Sequence, residues 1–147
     1  EYEFMYVEKF DEEIWRACFA KKYNGMINEG ESVKFSFCPK TNEIVTLAIN
    51  RTKYANNTVE ISKDTATKIA EKYLNKSTAT DMDIDLEIVR PNYFYNELNG
   101  DESIYVKIGE TRQAYVAKFN NESASTLYID ATTGEIIGGD MILGGEY

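Results

Sequence analysis

Ala131-Thr132-Thr133-Gly134-Glu135-Ile136-Ile137 repeats, in altered form, the earlier stretch Pro39-Lys40-Thr41-Asn42-Glu43-Ile44-Val45. Gly134 and Asn42 share the fourth place, where a tight turn needs a residue that accepts positive φ. Each stretch follows a strand-like run, Ser32 to Cys38 in the first case and Ala124 to Asp130 in the second. Further upstream, Ala17-Cys18-Phe19-Ala20-Lys21 matches Ala114-Tyr115-Val116-Ala117-Lys118. The turn match has an offset of 92 residues and the strand match an offset of 97, which makes the connection five residues longer in the first copy. Tyr6-Val7 precedes the first copy much as Tyr105-Val106 precedes the second. A repeated strand, turn and strand pattern describes a chain built from copies of one small unit. Glu1 falls inside the first copy, so that copy reads as incomplete and the chain as a piece of a longer protein.

The rest of the chain fills in this outline. Tyr2, Phe4 and Tyr6 alternate with Glu1, Glu3 and Met5, as in a half-buried strand. Ile14 to Tyr23 is a second strand, closed by the turn signal Asn24-Gly25. Ser32 to Cys38 is a third, with Val33, Phe35 and Phe37 on one face, and Glu43 to Asn50 a fourth. Arg51 to Thr58 is polar and reads as a linker. One helix is expected over Lys63 to Leu74. Ser62 is its N-cap, Asp64 sits near the positive end of its dipole, and Ala66, Ile69, Ala70, Tyr73 and Leu74 form its apolar face. Met82, Ile84, Leu86 and Ile88 alternate with acidic residues, a period-two strand with one wet face. Strands at 103–108, 112–120, 124–130 and 135–143 complete the pattern. The expected class is α+β, with one main helix packed on antiparallel sheet. Residues 1–50 form an incomplete, diverged half repeat of strands only, 51–58 a linker, and 59–147 a complete repeat.

Composition removes several function classes. A net charge of −9 among 147 residues gives no clustered basic face for phosphate backbones, so nucleic acid is not an expected partner. No run approaches the ~20 apolar residues of a membrane helix, and no signal peptide opens the sequence. Histidine is absent, which takes away the commonest general base and the usual zinc ligand. No catalytic, metal-binding or cofactor-binding residues are expected. An enzyme working through a carboxylate pair ranks last, because no two acids are brought together by the pattern.

Cys18 and Cys38 lie on the two strands of the first hairpin. Were residue 24 opposite residue 32, Cys18 would be opposite Cys38, and the two would form either a cross-strand disulfide or two small buried thiols. A slip of one residue sends the side chains to opposite faces. The second copy has Tyr115 and Asp130 at the matching positions, so the fold does not depend on the pair.

A capped helix at Ile61-Ser62-Lys63-Asp64-Thr65-Ala66, then strands, then Tyr128-Ile129-Asp130-Ala131-Thr132-Thr133-Gly134-Glu135-Ile136, resembles the PepSY family. The likeness is strongest to the repeats of bacterial YcdB/YcdC-type proteins, and extends in outline to prodomains of thermolysin-type metalloproteases. Trp15, the Tyr23 to Ile27 turn, Ser32 to Phe37 and the Thr41 to Ile44 turn match the closing half of such a repeat. The first copy departs from the pattern with Cys38 for the Asp, Pro39 for the Ala and Asn42 for the Gly. The resemblance implies an extracellular or cell-envelope setting and a protein or peptide partner, with peptidase inhibition or prodomain-like chaperoning as the roles. Asp130, Thr133, Gly134 and Glu135 are turn-makers in it.

Aromatic residues are the candidates for a binding surface. Tyr93, Phe94 and Tyr95 form one cluster, and Trp15 and Tyr23, with Tyr2 and Tyr6, a second. All of these are also ordinary core fillers. Asp81, Asp83 and Asp85 resemble the opening of a calcium loop, yet Leu86 stands where such a loop needs Gly and Asn92 where it needs the bidentate Glu. A solvated strand face is the better account. Asn50, Asn56, Asn75 and Asn121 are formal glycosylation acceptors, which a bacterial protein would leave unmodified. The leading reading is a non-catalytic protein-binding module, and its rival a structural spacer or assembly repeat of a longer surface protein.

Overall fold

The computed structural model describes residues 1–73, 81–92, 94–96, 101–104, 109–119 and 126–140. The chain divides into two units, Glu1–Tyr54 and Ala55–Tyr147.

The first unit is an antiparallel meander of β1 (Tyr2–Lys9), β2 (Trp15–Tyr23), β3 (Met26–Cys38) and β4 (Glu43–Arg51), in the sheet order β1-β2-β3-β4. A two-residue strand, β5 (Lys53–Tyr54), follows. The Asp11 carboxylate folds the β1–β2 connection by accepting the Glu13 and Ile14 N–H groups at 2.8 Å each. Asn24 and Gly25, with φ of 51° and 80°, make the two-residue turn between β2 and β3. Both central residues at positive φ match the right-handed twist of the flanking strands. Three residues further on the ladder breaks: Lys21 pairs with Asn28 but Ala20 pairs with Ser32, so Glu29, Gly30 and Glu31 bulge out of β3. Together the tight turn and the bulge place Cys18 opposite Lys34, not opposite Cys38.

In the second unit, α1 (Lys63–Tyr73) precedes β6 (Met82–Val89), β7 (Phe94–Asn96), β8 (Asp101–Ile104), β9 (Glu110–Phe119), β10 (Thr126–Asp130) and β11 (Ile136–Asp140). β9 pairs with β6 and β10, β10 pairs with β11, and β7 and β8 form a separate hairpin. The Ser62 hydroxyl caps α1 by accepting the Thr65 N–H at 3.1 Å. Ala66 and Ala70, both fully buried, join Ala117, Phe119, Leu127 and Ile129 in the core. A second apolar cluster of Val89, Ala114, Val116 and Ile137 lies on the other face of the sheet.

The protein is therefore mostly β, and the expectation of an α+β class built around a main helix is corrected. Among the described residues there is one helix of 11 residues against eleven strands in three sheets. Strands take up most of the described residues, and the helical period holds over one short stretch.

Each unit has four antiparallel strands in the same sheet order, and the strand pairing aligns the two copies better than sequence identity does. Phe37 pairs with Ile44 and Ile129 with Ile136, at the turn offset of 92. Each hairpin then carries a one-residue bulge at the same place, Val45 in one and Ile137 in the other. Trp15 pairs with Phe37 as Tyr115 pairs with Ile129. The equivalent strand is thus shifted by 100 residues, not 97: Trp15 corresponds to Tyr115, Ala17 to Ala117 and Phe19 to Phe119. β1 takes the place of β6, since Val7 pairs with Ala17 as Ile84 pairs with Ala117. Hairpin geometry sets register, and a short identical string cannot override it.

Candidate functional site

The register gathers the apolar residues of the first unit on one face of its sheet. Across the strands run the rows Phe4–Phe19–Val33–Ile49, Val7–Ala17–Phe35–Leu47 and Trp15–Phe37–Ile44. Phe4 meets Phe19 edge-on with centroids 5.5 Å apart, Phe19 stacks on Phe35 at 6.2 Å, and Phe35 lies 6.0 Å from Phe37. Such aromatic neighbours stabilise a sheet face by cross-strand contact. The opposite face carries small or polar groups: Cys18, Ala20, Ser32, Lys34, Ser36 and Cys38.

β4 ends this sheet and is exposed along its whole length. From Ile44 to Asn50 it carries no charge. A long, uncharged edge of this kind offers unpaired backbone groups to another strand. The Val45 bulge is its one irregularity of register.

Trp15 sits on the apolar face, half-buried, and Tyr23 ends the same strand. At about 3.3 Å per residue they are about 26 Å apart, so they do not form one patch. Tyr23 belongs instead to a polar cluster at the β3 bulge. Its hydroxyl donates to the Glu31 carboxylate, which also accepts from Lys21 Nζ at 2.8 Å and Asn28 Nδ2 at 3.0 Å. Asn28 is fully buried, and its Oδ1 receives the Gly30 N–H at 3.1 Å. Burial opposes ionisation of Glu31, but the Lys21, Tyr23 and Asn28 donors outweigh it and hold the carboxyl below its ordinary range. The Tyr23 ring packs on Tyr54 with centroids 4.2 Å apart. Tyr23 thus closes the bulge.

Of the other aromatic cluster, Tyr93 lies outside the described residues, and Phe94 and Tyr95 are placed as backbone of β7. The residues that the sequence reading missed are Phe4, Phe19, Leu47 and Ile49. Their signal was the alternation of Val33, Phe35 and Phe37, extended across neighbouring strands once the register is known.

Both cysteines are buried and carry free thiols. Burial pushes the Cys18 thiol up, only partly offset by Lys34 and the Tyr6 hydroxyl. Cys38 goes the other way, because the Thr41 hydroxyl and the Thr41 and Lys40 N–H groups favour its thiolate. In the second unit the same turn position is Asp130, whose Oδ1 accepts the Thr132 and Thr133 N–H groups at 2.8 and 3.1 Å. Its Oδ2 lies 2.6 Å from Arg112 Nε, as an ion pair whose angle is poor for a hydrogen bond.

Among the described residues, Lys118 relieves the acidic face of β6. Lys118 pairs across the strands with Asp83 and forms a 2.9 Å ion pair with Glu87. Among the described residues no group of three or more metal-ligating side chains converges. None of their helices is long and apolar enough to cross a membrane.

No curated protein matches the sequence. The fold resembles the Bacillus megaterium YpeB C-terminal domain, with a TM-score of 0.52 and 15% identity over 97% of this chain. The match covers 57% of that longer chain. Residues 60–140, from the lead-in of α1 to the end of β11, match the family described as PepSY, peptidase propeptide and YPEB domain, and the chain belongs to this family.

Proposed function

We propose that this chain is a non-catalytic protein-binding module of a secreted or cell-envelope protein, and that a peptidase is its partner. The observation that carries this reading is the open β4 edge, uncharged from Ile44 to Asn50 and exposed throughout. An extended segment of a partner adds to such an edge by backbone hydrogen bonding, with side chains of the new strand supplying specificity. The propeptide description of the family supports a peptidase as the partner class. Capture of secreted or envelope peptidases on the immobilised chain, followed by an inhibition assay, tests it. Binding is expected to fall at least about tenfold in Val45→Lys, which places a charge on the edge at its bulge. Absence of both capture and inhibition at high micromolar concentration would sink the peptidase reading.

A structural spacer or assembly repeat is the second reading, favoured by the shared four-strand order of the two units. Thermal unfolding of residues 1–147 is compared with that of residues 55–147. Equal stability of the shorter fragment makes the copies independent beads and removes the assembly version.

A further inference from the structure

We infer that the apolar face of the first sheet is a seat for one amphipathic α-helix, supplied from outside residues 1–147 and built like α1, with small residues at its centre. The surface is the sheet face, separate from the β4 edge.

The second unit displays the filled version of this seat. There α1 shares its core with Ala117, Phe119, Leu127 and Ile129, and the last two are 1% and 0% exposed. The equivalent positions of the first unit are Ala17, Phe19, Phe35 and Phe37, as apolar as their counterparts. Among the described residues of 1–54 there is no helix. Their neighbours on the same face are left open, Ile44 at 66%, Leu47 at 61%, Phe4 at 56% and Ile49 at 49%. Apolar surface gathered to this extent marks an interaction site.

The shape of the face points to a helix. In the second unit Ala117 lies between Ile84 and Leu127 and makes a low point, in the same cluster as the helical alanines Ala66 and Ala70. Ala17 makes the same low point between Val7 and Phe35. A dip flanked by bulky residues suits the small-residue stripe of a helix, whereas a second sheet needs large side chains throughout to interdigitate at ~10 Å. A polar detail is retained too. Tyr115 donates its hydroxyl to the Ile61 carbonyl, in the lead-in to α1, at 3.0 Å. Trp15 holds the equivalent position and keeps a ring with one polar donor, the indole N–H.

The probe is the α1 sequence itself. A copy of residues 59–78 is fused ahead of Glu1, which reproduces the spacing from α1 to β6. Trp15 is the single tryptophan, so its emission reports the first face alone. Expected are a blue shift of that emission, loss of bound hydrophobic dye, and a rise in Tm of about 4 °C or more. A fusion carrying Ile69→Asp and Ala70→Asp in the added copy should show none of these. Unchanged emission, or an equal response from the charged copy, overturns the inference. So does sedimentation showing that the unfused chain buries Trp15 in a dimer. A monomer whose Trp15 already resists soluble quenchers overturns it as well, because the chain would then cover its own face.

Discussion

Cys38 heads the β3–β4 turn as Asp130 heads the β10–β11 turn. The Asn42 N–H donates to the Cys38 carbonyl at 2.9 Å, and the Gly134 N–H donates to the Asp130 carbonyl at 2.9 Å. The backbone is shared and the side chain at the head has changed, from a carboxylate that collects turn N–H groups to a thiol that meets the same donors.

Asp130 therefore carries weight in the second unit. Asp130→Ala leaves the Thr132 and Thr133 N–H groups and the Arg112 guanidinium without their acceptor, at a cost of about 3 kcal/mol in chemical denaturation. Asp130→Asn keeps an acceptor for the turn and should lose roughly half as much. Equal losses in the two variants would show that the charge alone matters.

The thiols should differ in reactivity. The turn donors lower the Cys38 pKa, and burial raises that of Cys18. Thiolate is the reactive form. Alkylation followed by peptide mapping in the folded protein should label Cys38 first, with a rate that levels off at lower pH. Faster labelling of Cys18 would contradict the turn geometry.

Gly134 has φ of 77°, and a Cβ there would meet Ile69 Cδ1 at 3.3 Å and Ile61 Cδ1 at 3.8 Å. Asn42 holds the matching place with φ of 58°. Gly134→Ala combines backbone strain with a crowded contact against the helix, and should cost about 1–2 kcal/mol. Asn42→Gly should change stability by less than about 0.5 kcal/mol, since Asn tolerates this φ. Thermal melts of the two variants give the comparison.

Tyr128 is pushed up to about 12, by burial first and then by its hydrogen bond to Asp140 at 2.7 Å. Below pH 10 both folded and unfolded states keep the proton. As pH rises from 10 towards 12 the unfolded state ionises first, so this part of the stability is lost in that window. Tyr128→Phe should be less stable by about 1 kcal/mol at neutral pH and should decline less steeply above pH 10. Parallel alkaline curves for the two proteins would remove this role.

Glu31 acts at the other end of the scale. Its folded pKa lies below the ordinary 4.5, so its contribution is present above that value and is lost as pH falls through the folded pKa. Acid unfolding of Glu31→Gln should begin from a less stable state and show a shallower loss. An unchanged acid profile would mean that the Lys21, Tyr23 and Asn28 donors do not hold the bulge.

Much was legible in the sequence because local chemistry set it. Alternation marked the strands, Ser62 and the Ala66–Ala70 spacing marked the helix, and Asn24-Gly25, Asn42 and Gly134 marked turns through their tolerance of positive φ. The family followed from the same residues. The tertiary structure decided what depends on pairing between distant strands. The tight Asn24-Gly25 turn and the bulge at Glu29–Glu31, invisible in composition, together set Cys18 opposite Lys34 and Trp15 opposite Phe37, which aligns Trp15 with Tyr115. The clasp that Tyr23 makes on the bulge, through a carboxylate eight residues away, also came from the tertiary structure. The apolar face emerged only once four strands were laid side by side, because each strand contributes only a few of its residues and register alone determines which side they share.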